Sequence, residues 1–339
     1  MSLSLSISTR VPRASRTAGP GALTTRLLRS RAVAALASPH PVDRYLEVVN
    51  PMWAVEEVRA RVESVRRETD GPLDDGGPVT TLTLRPTSTW RGFRAGQFVQ
   101  VGVEIDGARR TRCFSISSSE AGGEEAFTIT VRAHEEGLVS KYLATEAKAG
   151  LVLHLSQADG VFTLPDELPD RVLMISGGSG ITPVMSMLRT LVDREYDGRI
   201  TFVHYARDPE STIFREELES LARRENVDLT VVHTRRGGER FTPQALAELV
   251  PGHREIATFA CGPAGLVESV RAAYGDSEQL RVEYFKTSTL QPDPANAEGS
   301  VSFARTGRSA ANSGASLLEQ AEALGLTPEY GCRMGICFS

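Results

Sequence analysis

At 339 residues the chain is too long for one ordinary core and calls for two or three domains. Its 40% hydrophobic and 24% charged content is that of a globular protein, and a net charge of -5 excludes a general attraction to nucleic acid. No apolar run approaches the ~18 residues of a membrane-spanning helix, and four cysteines are too few and too unevenly placed for a disulfide framework, so a reducing, cytoplasmic setting is expected.

Residues 1–50 read as a basic extension. Arg10, Arg13, Arg16, Arg26, Arg29 and Arg31 fall in the first forty residues, without an Asp or Glu and among many Ser and Ala. That composition resembles a transit peptide, and it also fits a solvated tail or a segment that contacts a membrane surface or a partner protein. Over 23–36 the leucines and arginines do not separate onto two faces at ~100° per residue, which argues against a membrane-surface helix.

Residues 51–168 carry short alternating strands at 58–65, 79–84, 98–103, 112–117, 127–131 and 151–155. Turn clusters such as Asp70-Gly71-Pro72 and Asp74-Asp75-Gly76-Gly77-Pro78 separate them, and one helix at 138–146 interrupts them. Many strands with a single helix predict a small antiparallel β-barrel. Over 169–288 the rhythm changes. Strands at 172–175, 200–204, 229–233, 257–261 and 280–285 alternate with helices at 183–192, 214–223, 243–249 and 264–273. This pattern predicts an α/β doubly wound parallel sheet, with ligands at the carboxyl ends of its strands.

Residues 289–298, containing Gln291-Pro292-Asp293-Pro294, form a linker. Beyond it, over 299–339, come a strand at 301–305, a turn at Thr306-Gly307-Arg308, and a helix opened by a Ser316-x-x-Glu319 capping box and stopped by Gly325.

The strongest constellation is Gly177-Gly178-Ser179-Gly180-Ile181-Thr182-Pro183, directly after a buried strand. Its glycines let the backbone approach a pyrophosphate. Thr182 suits a helix cap and Pro183 the first helical position, and the helix N-terminus then offers N–H groups to phosphate. On the barrel, alternation sends Arg112 and Phe114 to one face and Cys113 and Ser115 to the other, which a half-buried structural strand also satisfies. Gly137-Leu138-Val139-Ser140 starts a helix and is a second phosphate seat.

These elements, in this order and spacing, resemble the ferredoxin–NADP reductase family of flavoproteins, from about residue 55 to 285. The resemblance implies an NAD(P)H-dependent flavin oxidoreductase that takes hydride from NADPH onto FAD. It assigns Arg112 to the flavin pyrophosphate, Phe114 to stacking on the flavin, and Ser115 to a hydrogen bond near its reactive nitrogen. Ser117 follows in the same motif, and Gly137 and Ser140 match a second flavin-phosphate segment. Most relatives carry Tyr where this chain has Phe114, so a hydroxyl is lost. Gly96-Gln97-Phe98 and Gly160-Val161-Phe162 match framing segments. Gly178, Gly180, Thr182 and Pro183 match the nicotinamide-nucleotide motif. Cys261-Gly262-Pro263 matches a segment in which the cysteine lies beside the nicotinamide. By itself Cys261 reads as a small buried residue.

Ser115 and Cys261 are therefore the residues expected to flank hydride transfer, with Glu283 and Phe285 near the flavin's exposed face. Tyr205-Ala206-Arg207-Asp208 ends the second strand of the sheet, and Arg235 follows the third. A guanidinium there favours a 2′-phosphate, and Arg207 is the leading candidate, although Asp208 could pair with it. Tyr330 to Cys337 has the four-residue cysteine spacing of a plant-type 2Fe–2S ferredoxin, and 299–339 resembles the first half of such a β-grasp domain. Cys332 and Cys337 would be metal ligands, since zinc pairs use shorter loops. The full pattern needs a third cysteine just past Ser339 and a fourth further on. The chain as it stands is thus expected not to hold a cluster, and it reads as cut short of a parent that does.

With an intact ferredoxin tail, the resemblance implies an oxygenase or fatty-acyl desaturase as electron acceptor, which the basic N-terminus would suit if that acceptor lay in a membrane. A stand-alone NAD(P)H:flavin or dye reductase and a non-catalytic binding module of the same fold are the alternative expectations.

Overall fold

In the computed structural model the described residues are 37–285 and 297–326, except 136 and 316, together with positions 28, 30, 33 and 35. The first unit is an antiparallel sheet of β1 (Val58–Thr69), β2 (Val79–Pro86), β3 (Phe98–Ile105), β4 (Ala108–Ser115), β5 (Phe127–Arg132) and β6 (Val152–Leu155), in the order β4-β3-β6-β1-β2-β5. Asp106-Gly107 turns β3 into β4 with both residues at positive φ (51° and 72°), which a two-residue hairpin requires and which an Asp-Gly pair adopts cheaply. The two edge strands are drawn together just beyond β4, where Ile116 bridges Ile129 of β5 and the Ser117 N–H donates to Thr128 O at 2.8 Å. The sheet thereby closes as a barrel.

Alternate residues point inward. Val62, Leu82, Leu84, Val99, Val101, Ile116, Phe127, Ile129 and Leu153 are buried together. A side chain of this size removed from water contributes about 1.5–3 kcal/mol, so this cluster outweighs any single polar contact in the barrel. α2 (Leu138–Thr145) covers it with Val139, Leu143 and Ala144.

Part of the stretch read as a basic extension is structured. α1 (Val42–Val49) is anchored by Asp43, whose buried carboxylate accepts the N–H groups of Val55 (2.7 Å), Glu56 (2.9 Å) and Glu57 (2.7 Å). Arg59, fully buried on β1, donates to Asp43 O at 3.1 Å, Pro51 O at 3.0 Å and Glu57 Oε2 at 2.8 Å. Residues 42–50 therefore belong to the barrel unit. The arginines of residues 1–36 lie outside the described residues.

The second unit alternates β7 (Arg171–Gly177), α3 (Ile181–Asp193), β8 (Arg199–Ala206), α4 (Arg215–Leu221), β9 (Val227–His233), α5 (Pro243–Leu249), β10 (Ala257–Gly262), α6 (Ala264–Tyr274) and β11 (Leu280–Tyr284). All its pairings are parallel, in the order β11-β10-β7-β8-β9. The chain leaves β7 toward β8 and later returns to β10 on its other side. The crevice of such a sheet opens at that reversal, outside the carboxyl ends of β7 and β10.

The two units share an apolar contact. Ala95, Phe162 and Leu164 join the cluster of Val184, Met187 and Leu188, with the Phe162 and Phe259 rings 6.0 Å apart. Beside it runs a polar seam from the segment after β4 to α3. Ser186 Oγ donates to Ser118 O at 2.6 Å and the Glu120 N–H donates to Thr190 Oγ1 at 3.1 Å, while Arg189 donates to Ser117 O and Arg194 pairs with Glu120.

Downstream, β12 (Ser300–Phe303) and β13 (Arg308–Ala311) form a hairpin, followed by α7 (Leu317–Ala323). Gly325 at φ 72° ends that helix, with its N–H bonded to Glu322 O at 2.8 Å. Ser316 and the Glu319 side chain of the expected capping box, the Gln291–Asn296 linker, and Cys332 and Cys337 lie outside the described residues. Among the described residues no helix is long and apolar enough to cross a membrane.

Candidate active site

Strand β4 presents the flavin motif. Ser115 pairs with Phe98 of β3 and is buried, whereas Phe114, opposite Val99, is half-buried and packs on the barrel core. Arg112 is half-buried, with Nη1 donating to Thr111 O at 2.8 Å. Gly96 (φ 98°) and Gly160 (φ 116°) bring the framing segments together, and Gln97 Nε2 reaches Gly160 O at 3.2 Å. A Cβ on Gly96 would sit 2.0 Å from Phe162 O, so only glycine fits. Gly137 caps the start of α2, and a Cβ there would lie 2.3 Å from Ser140 Oγ, which donates to Gly137 O at 3.1 Å. The first-turn N–H groups of α2 have no partner within the helix and are available to an anion.

Ser117 departs from expectation. It is fully buried, and its hydroxyl lies 2.8 Å from Thr128 Oγ1 and 2.9 Å from Thr130 Oγ1. It holds the barrel seam closed and offers no side-chain surface to a cofactor.

The nucleotide side is built at the switch point. Gly178 is left-handed (φ 54°), with open space where a Cβ would be, whereas a Cβ on Gly180 would lie 2.3 Å from Cys261 O and one on Gly262 3.1 Å from Gly177 N. Gly180 and Gly262 let the ends of β7 and β10 and the start of α3 touch backbone to backbone. Two local readings are corrected. Gly180 is the N-cap of α3, so Thr182 and Pro183 fall second and third in the helix. Thr182 Oγ1 donates to Ser179 O at 3.1 Å and caps nothing, and Pro183 is tolerated because first-turn N–H groups are unpaired anyway. Pro263 precedes α6 at its N-cap.

Cys261 is fully buried, and in register it faces Glu283 on β11. Burial, reinforced by the Glu283 carboxylate, pushes the Cys261 thiol well up, so it stays protonated and is no nucleophile. Burial likewise pushes the Glu283 carboxyl up to about 8, and its Oε2 has no hydrogen-bond partner among the described residues. Phe285 packs half-buried against the core shared by the two units.

The arginines are not where the sequence pairs them. Arg207 donates to Asp75 Oδ1 at 2.7 Å and Asp75 O at 2.6 Å, and Arg235 grips both carboxylate oxygens of Asp75, at 2.7 and 2.8 Å. Asp208, expected as a rival partner of Arg207, instead caps a 3-10 turn at Ser211 N (2.8 Å) and lies 3.8 Å from Arg235. Arg132, at the end of β5, donates to Gly76 O at 3.0 Å, and burial with Arg207 nearby pushes it down to about 10. On β8, His204 is fully buried with Nδ1 2.7 Å from Ser176 Oγ, and burial pushes it down to about 3. Asp75, Arg132 and His204 were not singled out from sequence. Asp75 reads there as a turn residue, and its partners are 132 and 160 positions away.

Residues 79–163 match the oxidoreductase FAD-binding domain, and residues 174–272 match the oxidoreductase NAD-binding domain. The chain is 38% identical over 314 residues to the NADPH oxidoreductase of Mycobacterium tuberculosis, covering 90% of this chain and 80% of that protein. It belongs to the ferredoxin–NADP reductase family. The reductase is also 33% identical over 278 residues to the glycine betaine monooxygenase reductase subunit of Pseudomonas aeruginosa, covering 72% of this chain and 75% of the subunit. Its fold is that of phthalate dioxygenase reductase (TM-score 0.61, 24% identity, 83% and 84% of the two chains). The flavohem-like FAD/NAD binding domain of Vibrio cholerae nitric oxide dioxygenase shares it as well (TM-score 0.59, 23% identity, 68% and 98%). The reductase is therefore an NAD(P)H-dependent flavin oxidoreductase. Its residues fit both groups. The cradle at Gly137 that a Cβ would fill and the buried Ser115 suit a flavin nucleotide, and the open face of Gly178 suits a dinucleotide.

Proposed function

We propose that the reductase takes hydride from NADPH onto FAD and passes single electrons to a 2Fe–2S centre and on to an oxygenase or fatty-acyl desaturase. The observation that carries this reading is the seam between the units. The strand that bears Arg112, Phe114 and Ser115 runs straight into residues 117–120, which are hydrogen-bonded to the helix that starts at the glycine turn. One rigid connection thus registers the flavin motif against the nucleotide motif, which is the positioning that hydride transfer demands. FAD, when bound, supplies a carrier that accepts electrons in pairs and releases them singly.

In this reading Arg112 and the start of α2 at Gly137 and Ser140 hold the flavin pyrophosphate. Phe114 lies against the ring system, and the Ser115 hydroxyl donates to it. Gly178, Gly180, Gly262 and Pro263 admit the nicotinamide nucleotide, with Thr182 and Pro183 setting the first turn of α3. Cys261 is a neutral wall beside the nicotinamide, and Glu283 and Phe285 close the opposite side. Arg207 and Arg235 take the 2′-phosphate, in keeping with the NADPH named for the Mycobacterium relative. Cys332 and Cys337 would supply two of the four thiolates of a plant-type cluster. The reductase components among the relatives support a redox-protein acceptor, and the oxygenase-linked subunit from Pseudomonas favours an oxygenase over a desaturase.

The test is cofactor analysis of the purified protein, combined with NADPH-driven reduction of cytochrome c as a one-electron acceptor. FAD released on denaturation together with cytochrome c reduction supports the proposal. FMN in place of FAD, or electrons delivered only in pairs, contradicts it.

A further inference from the structure

The structure assigns Asp75 a part in nucleotide selection: we propose that its carboxylate occupies the Arg207–Arg235 pair as an internal stand-in for the 2′-phosphate, and that NADPH must displace it. The inference rests on the reading above that these two arginines receive that phosphate.

Three observations carry it. The first is the match of contacts. Arg235 holds both carboxylate oxygens (2.7 and 2.8 Å), and Arg207 holds Oδ1 (2.7 Å) and the Asp75 carbonyl (2.6 Å). One fork closed on the carboxylate, with a further guanidinium N–H from Arg207 on Oδ1, puts three charged donors on one anion, as a phosphate monoester would receive them. The second is that the loop is shaped to deliver the carboxylate. Gly76 (φ 89°) and Gly77 (φ 66°) are both left-handed, and a Cβ on Gly76 would stand 2.1 Å from Arg207 Nη2 while one on Gly77 would stand 2.2 Å from Ala133 O. Arg132 fixes the tip through Gly76 O at 3.0 Å.

The third is that the clasp is weak enough to open. The side chains of Arg207, Asp75 and Arg235 are 34%, 47% and 51% exposed, so solvent and salt screen their attraction. With Asp75 withdrawn, Asp208 still lies 3.8 Å from Arg235, but its carboxylate is already engaged by Ser211 N. A 2′-phosphate brings about −1.5 to −2 charges and three acceptor oxygens, against one charge and two carboxylate oxygens on Asp75, and so competes for the pair. NADH brings neither and leaves the clasp closed. Asp75 lies on the barrel unit and its partners on the nucleotide unit, so the exchange also releases one contact between the two.

The experiment uses the full chain with bound flavin and compares wild type, Asp75→Asn, Gly76→Ala and Arg207→Ala in NADPH and NADH turnover and in inhibition by 2′-AMP. Asp75→Asn should lower the KM for NADPH and the inhibition constant of 2′-AMP about 3- to 10-fold, the range of one or two partly exposed pairs, with NADH unchanged. Gly76→Ala, whose Cβ would stand 2.1 Å from Arg207 Nη2 and so parts loop from guanidinium without removing a charge, should shift both in the same direction. If Arg207→Ala weakens NADPH while neither loop variant alters the NADPH-to-NADH preference, or while Asp75→Asn weakens NADH alone, the role of Asp75 is overturned and the phosphate seat stands. If Arg207→Ala leaves NADPH and 2′-AMP binding untouched, the phosphate seat itself is overturned, and the stand-in with it.

Discussion

Two parts of one parallel sheet's carboxyl edge are built by opposite physical means. Where β7 and β10 end, the surface is built from missing atoms. Glycines at 180 and 262 let backbone touch backbone, and burial pushes up both the Cys261 thiol and the half-buried Glu283 carboxyl. Where β8 and β9 end, it is built from charge, with Arg207 and Arg235 on half-exposed Asp75 and Arg132 behind. The first end tolerates almost no change of shape and responds little to salt. The second is half-exposed and screened. Packing there is a matter of ångströms, and charge is a matter of competition.

The largest effect is expected where shape dominates. Gly180→Val sets a branched side chain into the carbonyl of Cys261 and should cost about 1–3 kcal/mol of stability, with NADPH and NADH turnover lost together. Thermal unfolding and kcat/KM with both nucleotides would check this. Selective loss of NADPH alone would erase the distinction between the two ends. Next is Ser115→Ala, which removes one donor from the flavin side. It should slow flavin reduction on the order of 100-fold with both nucleotides, the scale for one preorganised donor, as rapid mixing would show.

Titration sharpens the contrast. The Glu283 carboxyl is pushed up to about 8 from an ordinary value of 4.5, so the folded state binds a proton that the unfolded state has released. Its contribution is fully present below about 4.5 and is lost as pH rises through about 8. Denaturant unfolding of wild type and Glu283→Gln should therefore diverge between these limits, with wild type losing ground as pH rises. His204 works the other way. Pushed down to about 3 from 6.5, it favours the folded state above pH 6.5 and removes stability as pH falls below that value. The smallest effect is expected from salt on wild type. Raising it from 0.05 to 0.5 M, roughly a threefold shortening of the screening length, should erode the NADPH preference over NADH by a few-fold and leave NADH turnover nearly constant.

What could be read from sequence divides along the same line. The alternating apolar residues of β2 and β5, the apolar run of β7 and the glycine turn are local patterns, and the structure has them where periodicity and turn chemistry place them. Contacts made at long range left no local trace. Asp43 holds three N–H groups that lie 12 to 14 residues on, inside a stretch whose composition suggests only a basic tail. Asp75 sits in an Asp-Asp-Gly-Gly loop that reads as a turn, and only the packed units show that it meets Arg207 and Arg235. Ser117 belongs to a flavin motif by position, yet barrel closure buries it. Thr182 and Pro183 look like a cap and a first position because those residue types usually are, but the helix begins earlier, at Ile181, with Gly180 as its N-cap.

The most direct test of the account is the visible absorption spectrum of the purified chain before and after anaerobic addition of NADPH. Flavin bands that bleach on addition, with one NADPH consumed per flavin, are the expected result. A colourless protein, or a bound flavin that NADPH leaves oxidised, would contradict it.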